Sequence, residues 1–206
     1  MALKLPYPRV FSALHDGTPI DTSMSFTPTA EVPMSTRSGD LDLGLVWYLA
    51  RTEQMSAKQF NTMVNFQSGL LGVSETSSDM RDLLDREAQD VRAAEAVALF
   101  CYQVKKWVGA FAAALGGLDT LVFAGGIGGH APTVRARICV GLEFLGVALD
   151  EQRNTAQADV ISADSGRVTV RVMQTDEEWV IANMVCRVLG LGMASEARNA
   201  DSEATI

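Results

Sequence analysis

Residues 121–135 read LVFAGGIGGHAPTVR, and this stretch decides how the chain is interpreted. Four apolar residues typical of a buried strand run into a segment in which four of five residues are glycine, and Pro132 then opens an amphipathic helix. Glycines between a strand and a helix leave no side chains in the turn. A ligand can therefore reach backbone N–H groups and the positive end of the helix. The pattern favours a nucleotide site, although many glycine-rich turns hold no ligand.

The sequence around this stretch predicts an α/β protein in which helices pack against a mixed sheet. Four short strands are expected, at residues 9–14, 19–24, 120–124 and 168–173. The pair Asp16-Gly17 separates the first two, and Asp-Gly between apolar runs is typical of a hairpin turn. The predicted helices span residues 38–51, 56–68, 78–86, 88–115, 132–145 and 176–189. Ser38 and Ser56 are the predicted N-caps of the first two helices.

The composition is that of an ordinary globular protein. Of its 206 residues, 48% are hydrophobic and 20% are charged, and the net charge is -8. The acidic balance argues against binding to nucleic acid or to an anionic membrane. No apolar run approaches the roughly 18 residues of a transmembrane helix. Cys101, Cys139 and Cys186 lack metal-ligand spacing, so they are expected to be buried free thiols in a reducing cytoplasm.

Four blocks of the sequence match one family in order and in spacing. They read DTSMSFTP with STRSGDLD (21–28 and 35–42), GLLGVSETSSDMRDL (69–83), VFAGGIGGHAPTVRARICVGLEFLGVALD (122–150) and QTDEEWVIA (174–182). With these motifs the chain resembles the acetate kinases, over roughly residues 11–189. A lone glycine-rich loop is a weak signal, whereas four blocks in register are specific.

The resemblance implies the fold of the acetate and sugar kinase, Hsp70 and actin superfamily. Its members have two domains of ribonuclease-H-like architecture, with ATP and Mg²⁺ in the cleft between them. The implied reaction converts ATP and acetate to ADP and acetyl phosphate, in a cytoplasmic homodimer that forms through this domain. Residues 10–190 are expected to be the C-terminal, nucleotide-binding domain, with an irregular lead-in over residues 1–9 and a disordered tail over residues 194–206.

The resemblance assigns Arg37, in the TRSG block, as an active-site arginine. A planar guanidinium suits the charge on a transferred phosphoryl group, although spacing alone favours a surface salt bridge. Asp79, Met80 and Arg81, in the SSDMRD block, are expected to bind the nucleotide. The Asp79 carboxylate could accept hydrogen bonds from ribose hydroxyls, but the residues alone indicate equally well that it stabilises a helix N-terminus.

The glycine-rich stretch is expected to bring backbone close to the adenosine and its phosphates. The residues that the resemblance assigns to this role are Gly125, Gly126, Ile127 and Gly128. The chain departs from the family directly afterwards, because Gly129-His130 stands where a Glu-Asn pair is usual. The departure bears on nucleotide affinity or base preference, and His130 itself is interpreted as a surface residue.

Glu177, at the start of the last predicted helix, is the expected Mg²⁺ residue. The resemblance aligns it with a metal-associated glutamate, and a carboxylate suits Mg²⁺ directly or through water. The alternative is a purely electrostatic role at the helix N-terminus, which Glu178 would supply equally.

The family's phosphate-binding motif HLGxG-x-S and its N-terminal domain, which binds the carboxylic acid, have no match in this sequence. The first strand of the sheet is therefore expected to be missing, and the isolated chain is expected to be inactive, because phosphoryl transfer needs donor and acceptor in one cleft. Three alternatives stay open: a propionate or butyrate kinase, a non-catalytic nucleotide-binding or assembly module, and a remnant without a ligand.

Overall fold

The structure, a computed structural model, describes residues 2–5, 11–174 and 176–191. Its strands are β1 (Ala2–Leu5), β2 (Ser12–His15), β3 (Thr18–Thr22), β4 (Thr120–Ala124) and β5 (Thr169–Met173). Its helices are α1 (Leu43–Thr52), α2 (Ala57–Phe66), α3 (Gly69–Ser74), α4 (Met80–Arg86), α5 (Val91–Leu115), α6 (Gly125–His130), α7 (Pro132–Cys139), α8 (Glu151–Thr155) and α9 (Glu177–Val188). A 3₁₀ turn lies at Glu143–Leu145.

The five strands form one mixed sheet in the order β3-β2-β1-β4-β5. β1 and β2 pair antiparallel, as do β2 and β3, whereas β4 runs parallel to both β1 and β5. The predicted mixed sheet with helices packed against it is confirmed. The hairpin between β2 and β3 is also confirmed, since Asp16 and Gly17 both have positive φ, at 49° and 77°, as a tight two-residue hairpin turn requires.

The expectations of an irregular lead-in over residues 1–9 and of a missing first strand are wrong for Ala2–Leu5. This segment is β1, the central strand, and it pairs with β2 on one side and with β4 on the other. Four residues are too few to show a strand by periodicity, and the strand forms because both neighbours supply backbone partners. Its parallel partner β4 lies more than a hundred residues away in sequence, so no local pattern predicts the pairing.

Helix α5 is the centre of the core and fixes the elements around it. It begins after Asp90, whose carboxylate accepts hydrogen bonds from the backbone N–H of Arg92 at 2.9 Å and of Ala93 at 3.2 Å. It packs against α3, α4, α7 and β2. Its buried positions are Ala93, Ala96, Val97, Cys101, Val104, Val108, Phe111, Ala112 and Leu115. Each large apolar side chain among them contributes about 1.5–3 kcal/mol to stability on burial.

The helix caps agree with the prediction at α2 and differ from it at α1. Ser56 and Gln59 form a reciprocal capping box at the start of α2. The expected cap Ser38 does not begin α1, which starts after Asp42 instead. The reason is that Ser38 and Asp40 donate their backbone N–H groups to Val64 and Glu31, so the chain is held in a loop until Asp42.

Contacts divide the chain into two compact units, Met1–Met173 and Gln174–Ile206. The described part of the second unit contains α9, capped by Asp176, whose carboxylate accepts from the backbone N–H of Trp179 at 2.9 Å. The single domain predicted over residues 10–190 stays a prediction, and the tail predicted over residues 194–206 lies outside the described residues.

The three cysteines are free thiols, as expected, and Cys101 and Cys139 are buried whereas Cys186 is only partly so. Burial raises the pKa of Cys101 to about 11 and that of Cys139 to about 12, so neither is reactive at neutral pH. Within the described ranges, no helix has the length and apolar character that crossing a bilayer requires.

Candidate functional site

A cavity of about 390 Å³ lies where the start of α4 faces α6. It is lined by Ser35, Ser78, Asp79, Met80, Arg81, Gly126, Ile127, His130 and Ala131. The cavity therefore unites residues from three of the sequence blocks that carried the prediction. Five of the predicted nucleotide residues are among its walls, namely Asp79, Met80, Arg81, Gly126 and Ile127.

Asp79 and Arg81 form a charged pair on one wall of the cavity. The Asp79 carboxylate caps α4 by accepting from the backbone N–H of Arg81 at 2.9 Å. It also accepts from the Arg81 side chain, at 3.2 Å from Nε and 2.7 Å from Nη2. These hydrogen bonds hold the pKa of Asp79 below its ordinary value and raise that of Arg81. The capping interpretation of Asp79 is thus confirmed, and both ends of the pair remain exposed for a ligand.

A short network of hydroxyl groups fixes the start of α4. Ser77 Oγ accepts from the backbone N–H of Asp79 at 3.0 Å and donates to Asp82 at 2.8 Å. Met80 anchors the same turn, because its side chain is 4% exposed and belongs to the core. Although Met80 lines the cavity, most of its side chain is therefore committed to packing.

The glycine-rich stretch forms a short helix, α6, where the sequence predicts an open turn. The strand β4 ends at Ala124, and Gly125 takes φ 72°, which glycine adopts at little cost. Helical backbone then continues to His130. Glycine is a poor helix former, so contacts of α6 with β4, β5 and α7 impose this conformation. Gly126 and Ile127 reach the cavity wall, whereas Gly125 and Gly128 do not.

The loop that carries Arg37 is stacked on the junction of α2 and α3. Backbone N–H groups of Ser68, Leu70 and Leu71 donate to carbonyls of Thr36, Met34 and Ser35 at 3.0, 2.8 and 3.0 Å.

Gly69, at φ 63°, makes this approach possible, because a Cβ there would lie 2.0 Å from the Met34 carbonyl oxygen and 2.6 Å from that of Arg37. The STRSG and GLLG blocks are thus two halves of one backbone contact.

Arg37 lies close to the cavity along the chain but is not among its walls. Ser35, two residues earlier, lines the cavity. The half-buried Arg37 side chain donates from Nη1 to the Pro28 carbonyl at 3.3 Å. Its predicted catalytic role stays a prediction.

Metal binding has no support among the described side chains. No group of three histidine, cysteine or acidic residues is placed to hold an ion in the described part of the chain. Asp79 is a single carboxylate on the cavity wall, and part of its acceptor capacity is already used by Arg81. The predicted metal residue Glu177 begins α9, and its side chain lies outside the described residues. The described residues therefore do not form a Mg²⁺ site by themselves.

Sequence reasoning missed several residues of the site. Ser78 and Ala131 lie next to assigned residues and show no distinctive pattern. His130 is exposed, as the sequence predicts, but it also lines the cavity wall. Arg135 does not line the cavity but is fully buried behind α6. The sequence indicates it only as part of the Val134-Arg135 pair in the third block.

Known proteins match the part of the chain that contains the cavity residues. The Acetokinase family model matches residues 9–183. An acetate kinase of Phocaeicola vulgatus is 44% identical over 181 residues, which cover 86% of this chain and 46% of that protein. A propionate kinase of Citrobacter rodentium is 44% identical over 177 residues, covering 85% of this chain and 44% of that protein. The crystal structure of Porphyromonas gingivalis acetate kinase matches with a TM-score of 0.86 at 37% identity, covering 91% of this chain and 49% of that one.

The chain belongs to the acetokinase family. The predicted family and its actin-like, ribonuclease-H-like fold are confirmed. The chain spans about half the length of the relatives that it matches.

Proposed function

We propose that this chain carries the nucleotide-binding part of an acetate kinase-type phosphotransferase. The activity assigned to the whole protein is transfer of a phosphoryl group from ATP to acetate, with ADP and acetyl phosphate as products. One observation carries the proposal: Asp79 and Arg81 meet Gly126 and Ile127 in one cavity although they lie in separate sequence blocks. Family membership supplies the reaction.

The cavity offers the two kinds of contact that a nucleoside phosphate needs. The exposed guanidinium of Arg81 keeps N–H donors for phosphate oxygens beside its bonds to Asp79. The Asp79 carboxylate retains acceptor capacity for ribose hydroxyls beside its bonds to Arg81. Gly126 allows close approach of a ligand to the backbone. We assign the nucleotide role to Gly125 and Gly128 as well, because they belong to the same short helix as Gly126 and Ile127.

Arg37 and Mg²⁺ complete the proposal. We assign Arg37 to the transferred phosphoryl group, supported by its family position and by the stacked loop that brings Ser35 to the cavity. Mg²⁺ usually binds through substrate phosphates and one or two carboxylates. We therefore propose that the ion arrives with ATP, with Glu177 as the candidate carboxylate.

A propionate kinase activity is the second candidate. A propionate kinase matches this chain at the same 44% identity as an acetate kinase does. The described cavity holds five of the proposed nucleotide residues and does not distinguish the two acids.

We further propose a cytoplasmic homodimer. Free thiols at all three cysteines suit a reducing compartment. Helix α1 presents apolar side chains to solvent, with Leu43 88%, Trp47 63% and Tyr48 53% exposed, and a second copy of the chain would cover them.

The nucleotide site is tested by titrating ADP, with Mg²⁺, into wild type and Asp79→Asn in a calorimeter. Asparagine is as good an N-cap as aspartate, so α4 keeps its cap while the carboxylate charge is lost. We expect the Kd for ADP to rise about tenfold, the scale of one lost charged hydrogen bond.

The matched control is Asp90→Asn, which alters the cap of α5 in the same way outside the cavity wall. Its affinity should equal that of wild type. Equal affinity in Asp79→Asn and wild type, or no ADP binding by wild type, contradicts the proposal.

A further inference from the structure

A buried arginine lies directly behind α6. Arg135, on α7, has no exposed surface. Its Nη1 donates to the carbonyl oxygens of Gly128 at 2.8 Å and Gly129 at 3.1 Å. Its Nε and Nη2 donate to Asn154, at 2.8 Å to the side-chain Oδ1 and 2.9 Å to the carbonyl oxygen. All three guanidinium nitrogens therefore donate hydrogen bonds to α6 or α8.

The partners of Arg135 are dipoles, since no carboxylate in the described part of the chain is bonded to it. Loss of water on burial lowers its pKa accordingly. Placing a cation in the interior without a counter-ion is costly. Apolar side chains of similar volume would stabilise the fold without the cost of burying a charge. Stability alone therefore does not explain why an arginine stands here.

The explanation lies in the backbone carbonyl groups at the end of α6, which need hydrogen-bond donors. In a regular helix the Gly128 carbonyl would accept from the N–H four residues later, but that residue is Pro132, which has none. Arg135 Nη1 occupies the place of that missing donor. The guanidinium also lies at the C-terminal end of α6, where a positive charge is favourable.

Side-chain packing alone can hold α6 only weakly. Four of its six residues are glycine, and Ile127 is the one apolar side chain that it packs against the core. Asn154, which is 4% exposed on α8, extends the network by donating from Nδ2 to the Pro132 carbonyl at 2.9 Å. The end of α6, the start of α7 and α8 are therefore joined through two buried side chains.

We propose that Arg135 is a positioning residue, which clamps the C-terminal carbonyls of α6 and so holds Gly126 and Ile127 at the cavity wall. Asn154 orients the guanidinium. The clamp acts on the ligand through backbone alone. Its effect on ligand affinity rests on the proposed nucleotide function, whereas its effect on α6 does not.

The test compares Arg135→Lys with Arg137→Lys, its control on the same helix. Arg137 forms a bidentate pair with Glu87, at 2.6 and 2.7 Å, and is not in the cavity wall. The two variants change the same residue type by the same amount. Only the first removes the planar fork that reaches both α6 and α8.

Two quantities are measured well below the thermal transition of each variant. The first is amide hydrogen exchange at residues 126–131 relative to α5, and the second is the Kd for ADP with Mg²⁺. We expect Arg135→Lys to exchange at least tenfold faster in α6, with α5 protection retained, and to bind ADP at least tenfold more weakly. Arg137→Lys should match wild type in both.

A lower Tm with unchanged α6 exchange and unchanged Kd would mean that Arg135 merely stabilises the fold, and it overturns the proposal. If Arg135→Lys does not fold, Asn154→Ala decides in the same way, because it keeps the arginine but removes the Oδ1 acceptor that orients the guanidinium. If wild type binds no ADP, the proposed function is wrong, and the exchange measurement still decides whether Arg135 clamps α6.

Discussion

At the scale of single residues, Glu31 is the most unusual ionisable group among the described side chains. It is 3% exposed and sits at φ 96°. Its Oε1 is buried without a hydrogen-bond partner in the described part of the chain. Burial is the main cause that raises the pKa of Glu31 to about 7. A side-chain hydrogen bond with Ser23 lowers this pKa, and the negative charge of Asp40 raises it further. The group is thus half-ionised near neutral pH.

Glu31 makes stability fall as the pH rises. The folded pKa of about 7 lies above the ordinary 4.5, so the folded state binds the proton more tightly. Its contribution is complete below pH 4.5 and is lost as the pH passes 7.

We therefore expect Glu31→Gln to be more stable than wild type at pH 8, by up to roughly 3 kcal/mol, and equally stable near pH 4.5. Urea denaturation of both proteins across this range provides the measurement. An identical pH dependence in the two proteins would show that Glu31 is not buried as described.

The sequence can predict the role of a residue when its partners are close in sequence, and it does not when they are distant. Asp79 caps the helix that follows it, as its place at a helix start predicts. Arg81 is selected only through the family resemblance of the SSDMRD block, and its pairing with Asp79 is not predicted. Arg135 meets Asn154 across nineteen positions. Its proposed role depends on Pro132, the first residue of α7, having no N–H to donate to the Gly128 carbonyl, and sequence periodicity does not indicate this.

At the scale of elements, the contact between the Arg37 loop and α3 depends on one glycine. Replacing Gly69 by alanine puts a Cβ 2.0 Å from a backbone oxygen at a positive φ, where nothing flexible can yield. We expect the free energy of unfolding to fall by about 2 kcal/mol or more. The amides of Ser68, Leu70 and Leu71 should also exchange faster, because they lose their carbonyl acceptors in the Arg37 loop.

Gly109→Ala is the control for this prediction. Gly109 lies inside α5, its φ is not positive, and a Cβ there meets nothing within 4 Å. Alanine should raise stability there by about 0.5–1 kcal/mol. If urea denaturation gives both variants the same change, the stacked loop is not held as described.

The same contrast separates the elements that could be predicted from those that could not. The β2–β3 hairpin and α5 follow local signals, namely Asp16-Gly17 and a long apolar period. β1 exists because β2 and β4 pair with it, and α6 is helical although glycine disfavours helix. Both are imposed by tertiary contacts that the sequence does not display locally.

At the scale of the whole molecule, the proposed homodimer predicts a mass of twice 22.1 kDa. Trp47 is exposed on α1 with the Arg51 guanidinium 5.0 Å from its ring centre. Trp47→Glu should give a monomer, because a buried unpaired charge opposes association.

Phe144→Glu serves as the control, since Phe144 is 73% exposed outside α1. It should leave the mass unchanged. Light scattering after gel filtration measures both, and a monomeric wild type contradicts the dimer.

The most direct test of the central claim is an ADP titration of the ¹⁵N-labelled chain, followed by amide chemical shifts. The account predicts the largest shifts at Met80, Arg81, Gly126, Ile127 and His130, around the described cavity. Shifts that are absent, or that cluster instead around Glu31 and Trp107 at a second cavity, would contradict it.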